Sequence, residues 1–102
     1  MAAIEYSRGA VTDTMQAQIG RTVYDEIDDD GIITRFESRD FLIAIAEFTT
    51  VSGPPAIGDV IAETQDSITY QYRVTAITGG QHYQRDAHRF RFRIHTKRIS
   101  AE

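Results

Sequence analysis

The 102-residue chain contains no cysteine and no tryptophan, and its only two prolines are the adjacent Pro54 and Pro55. Without cysteine, disulfides, thiolate zinc sites and cysteine nucleophiles are excluded. The longest apolar run, residues 41–46, is far too short to span a bilayer. The first residues lack the apolar core of a signal peptide. We therefore expect a soluble protein that is made in the cytoplasm and has no membrane partner.

Charge is distributed unevenly along the chain. Residues 1–66 contain 13 acidic and 4 basic residues, whereas residues 67–102 contain 2 acidic and 7 basic residues. The densest acidic run comprises Asp25, Glu26, Asp28, Asp29 and Asp30. Opposite charge on two parts of a small domain favours contact between neighbouring copies, because unlike faces attract and like faces repel.

Residues 88–99 alternate between apolar and basic side chains, which predicts a β-strand with two different faces. On one face we expect Phe90, Phe92 and Ile94 to lie in the core. The other face carries a line of cations that we call the basic row: Arg89, Arg91, Arg93, His95 and Lys97. Three interpretations of the basic row stay open, namely a solvated sheet face, a surface that binds acidic residues of another protein chain, and a contact for nucleic-acid phosphate.

The remaining patterns predict one domain, residues 1–102, of the all-β class: a small antiparallel β-sandwich or barrel with one short N-terminal helix. Residues 1–10 hold few apolar groups and should form an extended N-terminal arm that is ordered mainly by a neighbouring molecule. Residues 11–20 should form the helix, because Thr12 can cap it and apolar residues recur every four positions at Val11, Met15 and Ile19.

Residues 21–99 should form the β domain, with a turn at residues 28–31 and loops at residues 49–55 and 81–87. The polar residues 37–40 indicate a bulge or corner in a long strand. Residues 41–46 are apolar on both faces, which is typical of a strand that is covered from both sides. The residues that should be buried with the terminal strand are Phe41, Ile43, Ile45, Tyr70, Tyr72 and Val74.

No motif in the sequence indicates catalysis. The three histidines, His82, His88 and His95, do not have metal-ligand spacing, and residues 28–31 lack the closing glutamate of a calcium loop. No Gly-x-Ser-x-Gly elbow occurs, and no lysine follows Gly79 and Gly80 as in a phosphate loop. We expect no enzymatic activity, no catalytic residues, no cofactor, no metal and no small-molecule substrate.

The chain contains four short motifs whose order resembles that in a known protein family. Residues 54–61 read Pro-Pro-Ala-Ile-Gly-Asp-Val-Ile, residues 66–77 read Asp-Ser-Ile-Thr-Tyr-Gln-Tyr-Arg-Val-Thr-Ala-Ile, and residues 89–95 read Arg-Phe-Arg-Phe-Arg-Ile-His. Residues 31–43, Gly-Ile-Ile-Thr-Arg-Phe-Glu-Ser-Arg-Asp-Phe-Leu-Ile, precede them. Over residues 21–99 this arrangement resembles the head–tail joining proteins of tailed bacteriophages, also called head-completion, head-closure or stopper proteins.

The resemblance implies a β-sandwich or barrel that assembles as a homo-oligomeric ring in the virion neck, between the portal or adaptor and the tail. It also implies contact with DNA in the channel and a protein made in the bacterial host. Four cations of the basic row, Arg89, Arg91, Arg93 and Lys97, would then meet the acidic run of an adjacent subunit. The loop around residues 28–31 is short for a family in which it often projects into the channel, which puts a gating role in doubt. The alternative hypothesis is an OB-like nucleic-acid-binding barrel that uses the basic row.

Overall fold

The computed structural model describes residues 1–77, 80–86 and 90–101. Its seven strands are β1 (Ala2–Arg8), β2 (Val11–Ile27), β3 (Ile33–Ala44), β4 (Val60–Gln65), β5 (Ile68–Val74), β6 (Tyr83–Asp86) and β7 (Arg91–Ala101), and a 3₁₀ turn, Ile45–Glu47, follows β3. The predicted all-β class is confirmed. Within the described ranges, no helix has the length and apolar character needed to cross a membrane.

Six strands close into an antiparallel barrel in the order β3-β2-β1-β4-β5-β7, and β7 pairs back onto β3. The seventh, β6, pairs with the first half of β7, next to the stretch of β7 that pairs with β5. Closure of the barrel satisfies the backbone groups that an open sheet would leave exposed at its edges.

Two tight turns set the register of the hairpins. Gly9 and Ala10 join β1 to β2, and Gly9 has a φ of 59°, as the first position of a type II′ turn requires. Asp66 and Ser67 join β4 to β5 with φ angles of 50° and 68°, the pattern of a type I′ turn.

The barrel interior contains the alternate residues that the sequence places in the core. Phe41, Ile43, Tyr72, Val74, Phe92 and Ile94 are buried, and Ile45 and Tyr70 are half-buried against them. Phe90 is the exception, because its side chain is 66% exposed. Its φ of 53° does not occur in a strand, so β7 begins only at Arg91 and the alternation does not extend back to Phe90.

The predicted helix at residues 11–20 is wrong, because these residues form the first part of β2. A spacing of four places residues on one face of a helix, but it also places them on one face of a strand. In β2 the inward positions are Asp13, Met15 and Ala17, and the threonines and glutamines between them face outward. Pairing with β1 and β3 decides between the two structures.

The prediction of an N-terminal arm for residues 1–10 is also wrong. β1 lies between β2 and β4 in the barrel, and its Ile4 and Tyr6 are buried in the core. Two apolar side chains are sufficient here because they are spaced by two and fall on one face. The bulge predicted at residues 37–40 is absent from the β2–β3 register, and part of the loop predicted at 81–87 is β6.

β2 and β3 extend beyond the barrel as a two-stranded ribbon, residues 22–38, which we call the distal hairpin. Its strands pair with each other without a register shift from Thr22↔Ser38 to Ile27↔Ile33. β7 joins β3 only from Arg39 onward. From Thr22 to the turn, at about 3.3 Å per residue, the ribbon reaches about 20 Å from the barrel.

Candidate functional site

All five acidic residues of the predicted interface lie near the end of the distal hairpin, which we call the acidic tip, residues 25–33. Asp25 and Glu26 are on β2, and Asp28, Asp29 and Asp30 are in the turn; all five are exposed. Within the chain, Asp25 accepts a hydrogen bond from Arg35 Nε at 3.2 Å. The structure therefore brings the acidic run together on one projection.

The turn at the acidic tip is ordered by one of these carboxylates. Asp28 Oδ1 accepts hydrogen bonds from the backbone N–H groups of Asp30 at 3.0 Å and Ile32 at 2.9 Å. Gly31 has a φ of 78°, which allows the chain to turn back into β3. Asp28 thus has a structural role, and Asp29 and Asp30 project from a defined turn.

Apolar side chains are exposed among the acids of the tip. Ile27 and Ile33 face each other across the ribbon and are 69% and 63% exposed, and Ile32 in the turn is 58% exposed. A small protein rarely leaves such a cluster in water, and exposed apolar patches of this kind mark surfaces that bind a partner.

Within the described part of the basic row, Arg91, Arg93 and Lys97 lie on the face of β7 opposite the buried Phe92 and Ile94, as the alternation predicts, whereas His95 on that face is itself buried. Arg91 is half-buried, and its Nη1 donates to Gln18 Oε1 at 2.9 Å. Lys97 is exposed, and its Nζ lies 5.3 Å from the centre of the Phe36 ring. Arg89 and His88 lie outside the described residues.

Arg93 and His95 of the row are bound by an acid of their own chain, Asp40. Arg93 Nε donates to Asp40 Oδ2 at 2.8 Å, and His95 Nδ1 lies 2.9 Å from Asp40 Oδ1. His95 and Asp40 are fully buried. The hydroxyls of Ser38 and Thr22 each donate to Asp40 at 2.6 Å. We call these five residues the anchor network.

Asp40 stays ionised because its hydrogen bonds outweigh its burial. Burial alone would raise the pKa of Asp40, but hydrogen bonds from His95, Ser38 and Thr22 lower the pKa to about 2. The anchor network joins β7 to both strands at the root of the distal hairpin. It therefore fixes the direction in which the hairpin leaves the barrel.

A glycine makes room for the anchor network. A Cβ atom on Gly20 would lie 3.3 Å from Arg93 Nη2 and 3.2 Å from Leu42 Cδ1, which is closer than side chains normally pack. The same Nη2 donates to the carbonyl oxygen of Arg21 at 2.9 Å. Gly20, the last residue of the predicted helix, instead lets the Arg93 guanidinium lie across β2.

Two adjoining grooves lie beside the Arg91 end of the basic row. The aromatic groove has a volume of about 350 Å³ and is lined by Ile45, Phe48, Gly53, Pro54, Tyr83, Arg85 and Phe92. The arginine groove has a volume of about 170 Å³ and is lined by Leu42, Gln84, Arg85, Arg91, Phe92 and Arg93. Arg85 and Phe92 line both grooves, so the grooves adjoin at the β6–β7 pair. Arg85 is paired directly with Phe92 and shares its face of this strand pair, whereas Arg91 and Arg93 alternate with Phe92 and lie on the other face.

One wall of the aromatic groove, residues 45–59, is fixed by two buried carboxylates. Asp13 Oδ2 accepts from the backbone N–H groups of Thr50 at 2.9 Å and Val51 at 2.7 Å. The Val51 bond is the largest cause that lowers the pKa of Asp13. These bonds hold the loop against the barrel although it has no sheet partner.

The second carboxylate is Asp59, which accepts two hydrogen bonds from Arg8 Nε and Nη2 at 3.0 and 2.8 Å and one from the Tyr6 hydroxyl at 2.5 Å. Burial raises the pKa of Asp59, but these bonds outweigh burial and lower it. Arg8 also donates to the carbonyl oxygens of Ser52 and Pro54 at 2.6 and 2.9 Å. The groove is therefore preformed rather than assembled on binding.

At the opposite end of the barrel, Glu63 accepts hydrogen bonds from Arg39 Nε at 3.0 Å and from Arg39 Nη2 at 2.8 Å. Glu63 is buried, and the guanidinium lies 5.4 Å from the Tyr72 ring centre. This ion pair occupies the barrel end from which the distal hairpin projects. Among the residues that the structure describes, no group of three or more His, Asp or Glu side chains is arranged to hold a metal ion.

The sequence did not predict the anchor network or the two grooves. Ser38 and Asp40 are two residues apart and so share a face, which was visible in the sequence. The partners of Asp40 on β2 and β7, Thr22 and Arg93, are 18 and 53 residues away in the sequence, and no local pattern indicates such pairings. Arg85 was assigned to a loop, so its proximity to Arg91 and Arg93 was not predicted.

A family model described as phage head–tail joining protein matches residues 1–102, the whole chain. No curated protein and no solved structure matches significantly.

Proposed function

Because the chain belongs to the family of phage head–tail joining proteins, and so is a structural component of the virion at the head–tail junction, we propose that it is a non-enzymatic subunit of a homo-oligomeric neck ring. The single observation that carries this proposal is the match of the family model over the whole chain. The ring would lie between the portal or adaptor and the tail, with DNA passing through its channel.

The charged surfaces support a ring. A closed ring requires a heterologous interface, in which two different surfaces of each subunit meet. The acidic tip and the basic row are such surfaces, and they lie on different parts of the molecule. Attraction between them would align subunits head to tail, whereas contact between two acidic tips would be repulsive.

The distal hairpin is also suited to a contact between molecules. None of its residues belongs to the hydrophobic core, and beyond Thr22 it pairs only with itself. A two-stranded ribbon is marginally stable in water by itself. Contact with a neighbouring molecule would bury its exposed isoleucines and stabilise it.

The alternative, an OB-like barrel that binds nucleic acid through the basic row, has less support. Arg93 and His95 are already bound to Asp40, and His95 is buried. Phosphate contacts need cations that water can reach. Fewer cations of the row are therefore available for DNA than the sequence suggests.

The proposal predicts a defined phenotype when the gene is silenced. Host cells should accumulate filled heads and complete tails that are not joined, and purified protein added to the extract should join them. Electron microscopy counts joined particles, and an unrelated small β-barrel protein serves as control. If heads and tails join normally without the protein, the proposal is wrong.

A further inference from the structure

We infer that, in the proposed ring, the acidic tip of one subunit inserts into the aromatic groove of the next copy of the same chain. This inference rests on the proposed ring and names the surface that receives the tip. The receiving surface is the aromatic groove with Arg85, which faces the same side of the β6–β7 pair as Phe92, rather than the Lys97 end of the basic row.

The acidic tip and the receiving surface are chemically complementary. The tip presents exposed Ile27, Ile32 and Ile33 with Asp29 and Asp30 beside them. The aromatic groove offers the rings of Phe48, Tyr83 and Phe92, with the guanidinium group of Arg85 beside them. Isoleucine side chains would lie against the aromatic rings while the aspartates meet the Arg85 guanidinium. An apolar centre with a charged rim is the usual anatomy of a protein–protein interface.

The receiving surface is itself incompletely covered within the chain. Phe90 is 66% exposed, and its carbonyl oxygen accepts a hydrogen bond from Ile45 N at 2.8 Å, which places Phe90 beside the wall of the aromatic groove. Arg85 is exposed and makes no ion pair within the described ranges. The tip and the grooves are thus two apolar patches with opposite charge on one molecule.

The positions of the two surfaces also favour contact between copies of the chain. The distal hairpin leaves the barrel at the end marked by Arg39, whereas the aromatic groove lies at the Ala44 end of β3, next to the loop that covers that end. Surfaces at opposite ends of a barrel favour a chain of subunits in which each tip reaches the next molecule. The Lys97 end of the row lies beside the root of the hairpin, where Lys97 Nζ is 5.3 Å from the centre of the Phe36 ring.

The absence of cysteine permits a direct test by cross-linking. One variant carries Ile32→Cys at the tip, a second carries Arg85→Cys in the grooves, and a third carries Lys97→Cys as matched control. All three sites are exposed, so the fold should be retained, which circular dichroism checks. Pairs of variants are incorporated together into virions, and a short bifunctional maleimide is added to the purified particles.

The inference predicts that the Ile32→Cys and Arg85→Cys pair forms covalent dimers at least about tenfold more than the Ile32→Cys and Lys97→Cys pair, since tenfold corresponds to about 1.4 kcal/mol of preference. A single chain that carries both Ile32→Cys and Arg85→Cys should give a ladder of covalent oligomers. Preferential cross-linking to Lys97→Cys, or of the tip to a different virion protein, would overturn the inference.

The outcomes separate this inference from the proposed function. Joined virions that contain the protein but give no cross-link from Ile32→Cys to Arg85→Cys leave the neck role intact and contradict the docking. Particles that lack the protein contradict both.

If the cysteine variants fail to enter particles, Asp29→Lys with Asp30→Lys should reduce joining, and Arg85→Glu, but not Lys97→Glu, should restore it. Equal restoration by the two would contradict the docking.

Discussion

At the scale of single residues, Phe92 and Phe90 are a matched pair of aromatics in opposite environments. Phe92 is 5% exposed, and its ring centre lies 5.4 Å from those of Phe48 and Tyr83. Phe92→Ala should lower the free energy of unfolding by about 3–5 kcal/mol. Phe90→Ala should change it by about 0.5 kcal/mol or less. Urea denaturation measures both, and equal losses would contradict the assignment of faces.

The lowered pKa of Asp40 predicts how the free energy of unfolding should change with pH. Its folded-state pKa of about 2 lies below the ordinary value of 3.8. The stabilisation from ionised Asp40, about 2 kcal/mol, is therefore complete above about pH 4 and is lost as the pH falls towards 2. Asp40→Asn should lower the free energy of unfolding at pH 7 and weaken its decline between pH 4 and pH 2.

Asp29→Asn is the control for this experiment, because Asp29 is exposed at the tip and should keep the wild-type decline. Asp13 and Asp59 also have lowered pKa values, so part of the decline should persist in Asp40→Asn. Parallel curves for wild type and Asp40→Asn would show that the anchor network does not hold the carboxylate ionised.

The anchor network also determines at which positions a charge can be reversed without destabilising the fold. Removing one partner of a buried ion pair typically costs about 3–5 kcal/mol, because the remaining charge has no compensation. Reversing Arg93 would therefore disturb the fold as well as any interface. Arg85 and Lys97 are exposed, so they are the suitable positions for testing assembly.

At the scale of elements, the β4–β5 turn has residues that its conformation does not favour. Asp66 and Ser67 both have positive φ, where Asn-Gly is preferred. Asp66→Asn with Ser67→Gly should raise the free energy of unfolding by about 0.5–1 kcal/mol. Ala10→Gly, at a turn position without positive φ, should instead lower it. Thermal and urea denaturation measure both changes, and a destabilising Asn-Gly turn would contradict the I′ assignment.

Strands were predictable from the sequence wherever alternation was long and unambiguous, as for Phe92 and Ile94 on β7 or Tyr72 and Val74 on β5. The strands in the first twenty residues could not be predicted, because the apolar spacing there is compatible with both a helix and a strand. The choice depends on pairing with β3 and β4, which lie far away in sequence. The buried Asp13 was also unexpected, since its partners Thr50 and Val51 belong to a distant loop.

At the scale of the whole molecule, the barrel and the distal hairpin should be separable. Val23 and Glu37 are paired directly, so an Asn-Gly turn can replace residues 24–36 between them. None of the removed residues belongs to the core, and the anchor network remains. The shortened protein should fold, with a loss of about 1 kcal/mol or less, but it should not join heads to tails.

Circular dichroism and denaturation check the fold of the shortened protein, and complementation of extracts lacking the wild-type protein checks its function. The matched control is the intact hairpin with Thr34→Ser, which keeps the acids and isoleucines of the tip. Normal joining by the shortened protein would mean that the hairpin has no part in assembly.

An electron cryomicroscopy reconstruction of the neck in purified virions would show directly how the subunits are arranged. We expect a closed ring of copies of this chain between head and tail, in which the distal hairpin of each barrel contacts the next barrel. A neck resolved at the level of individual strands in which no barrel of this topology is present would contradict it.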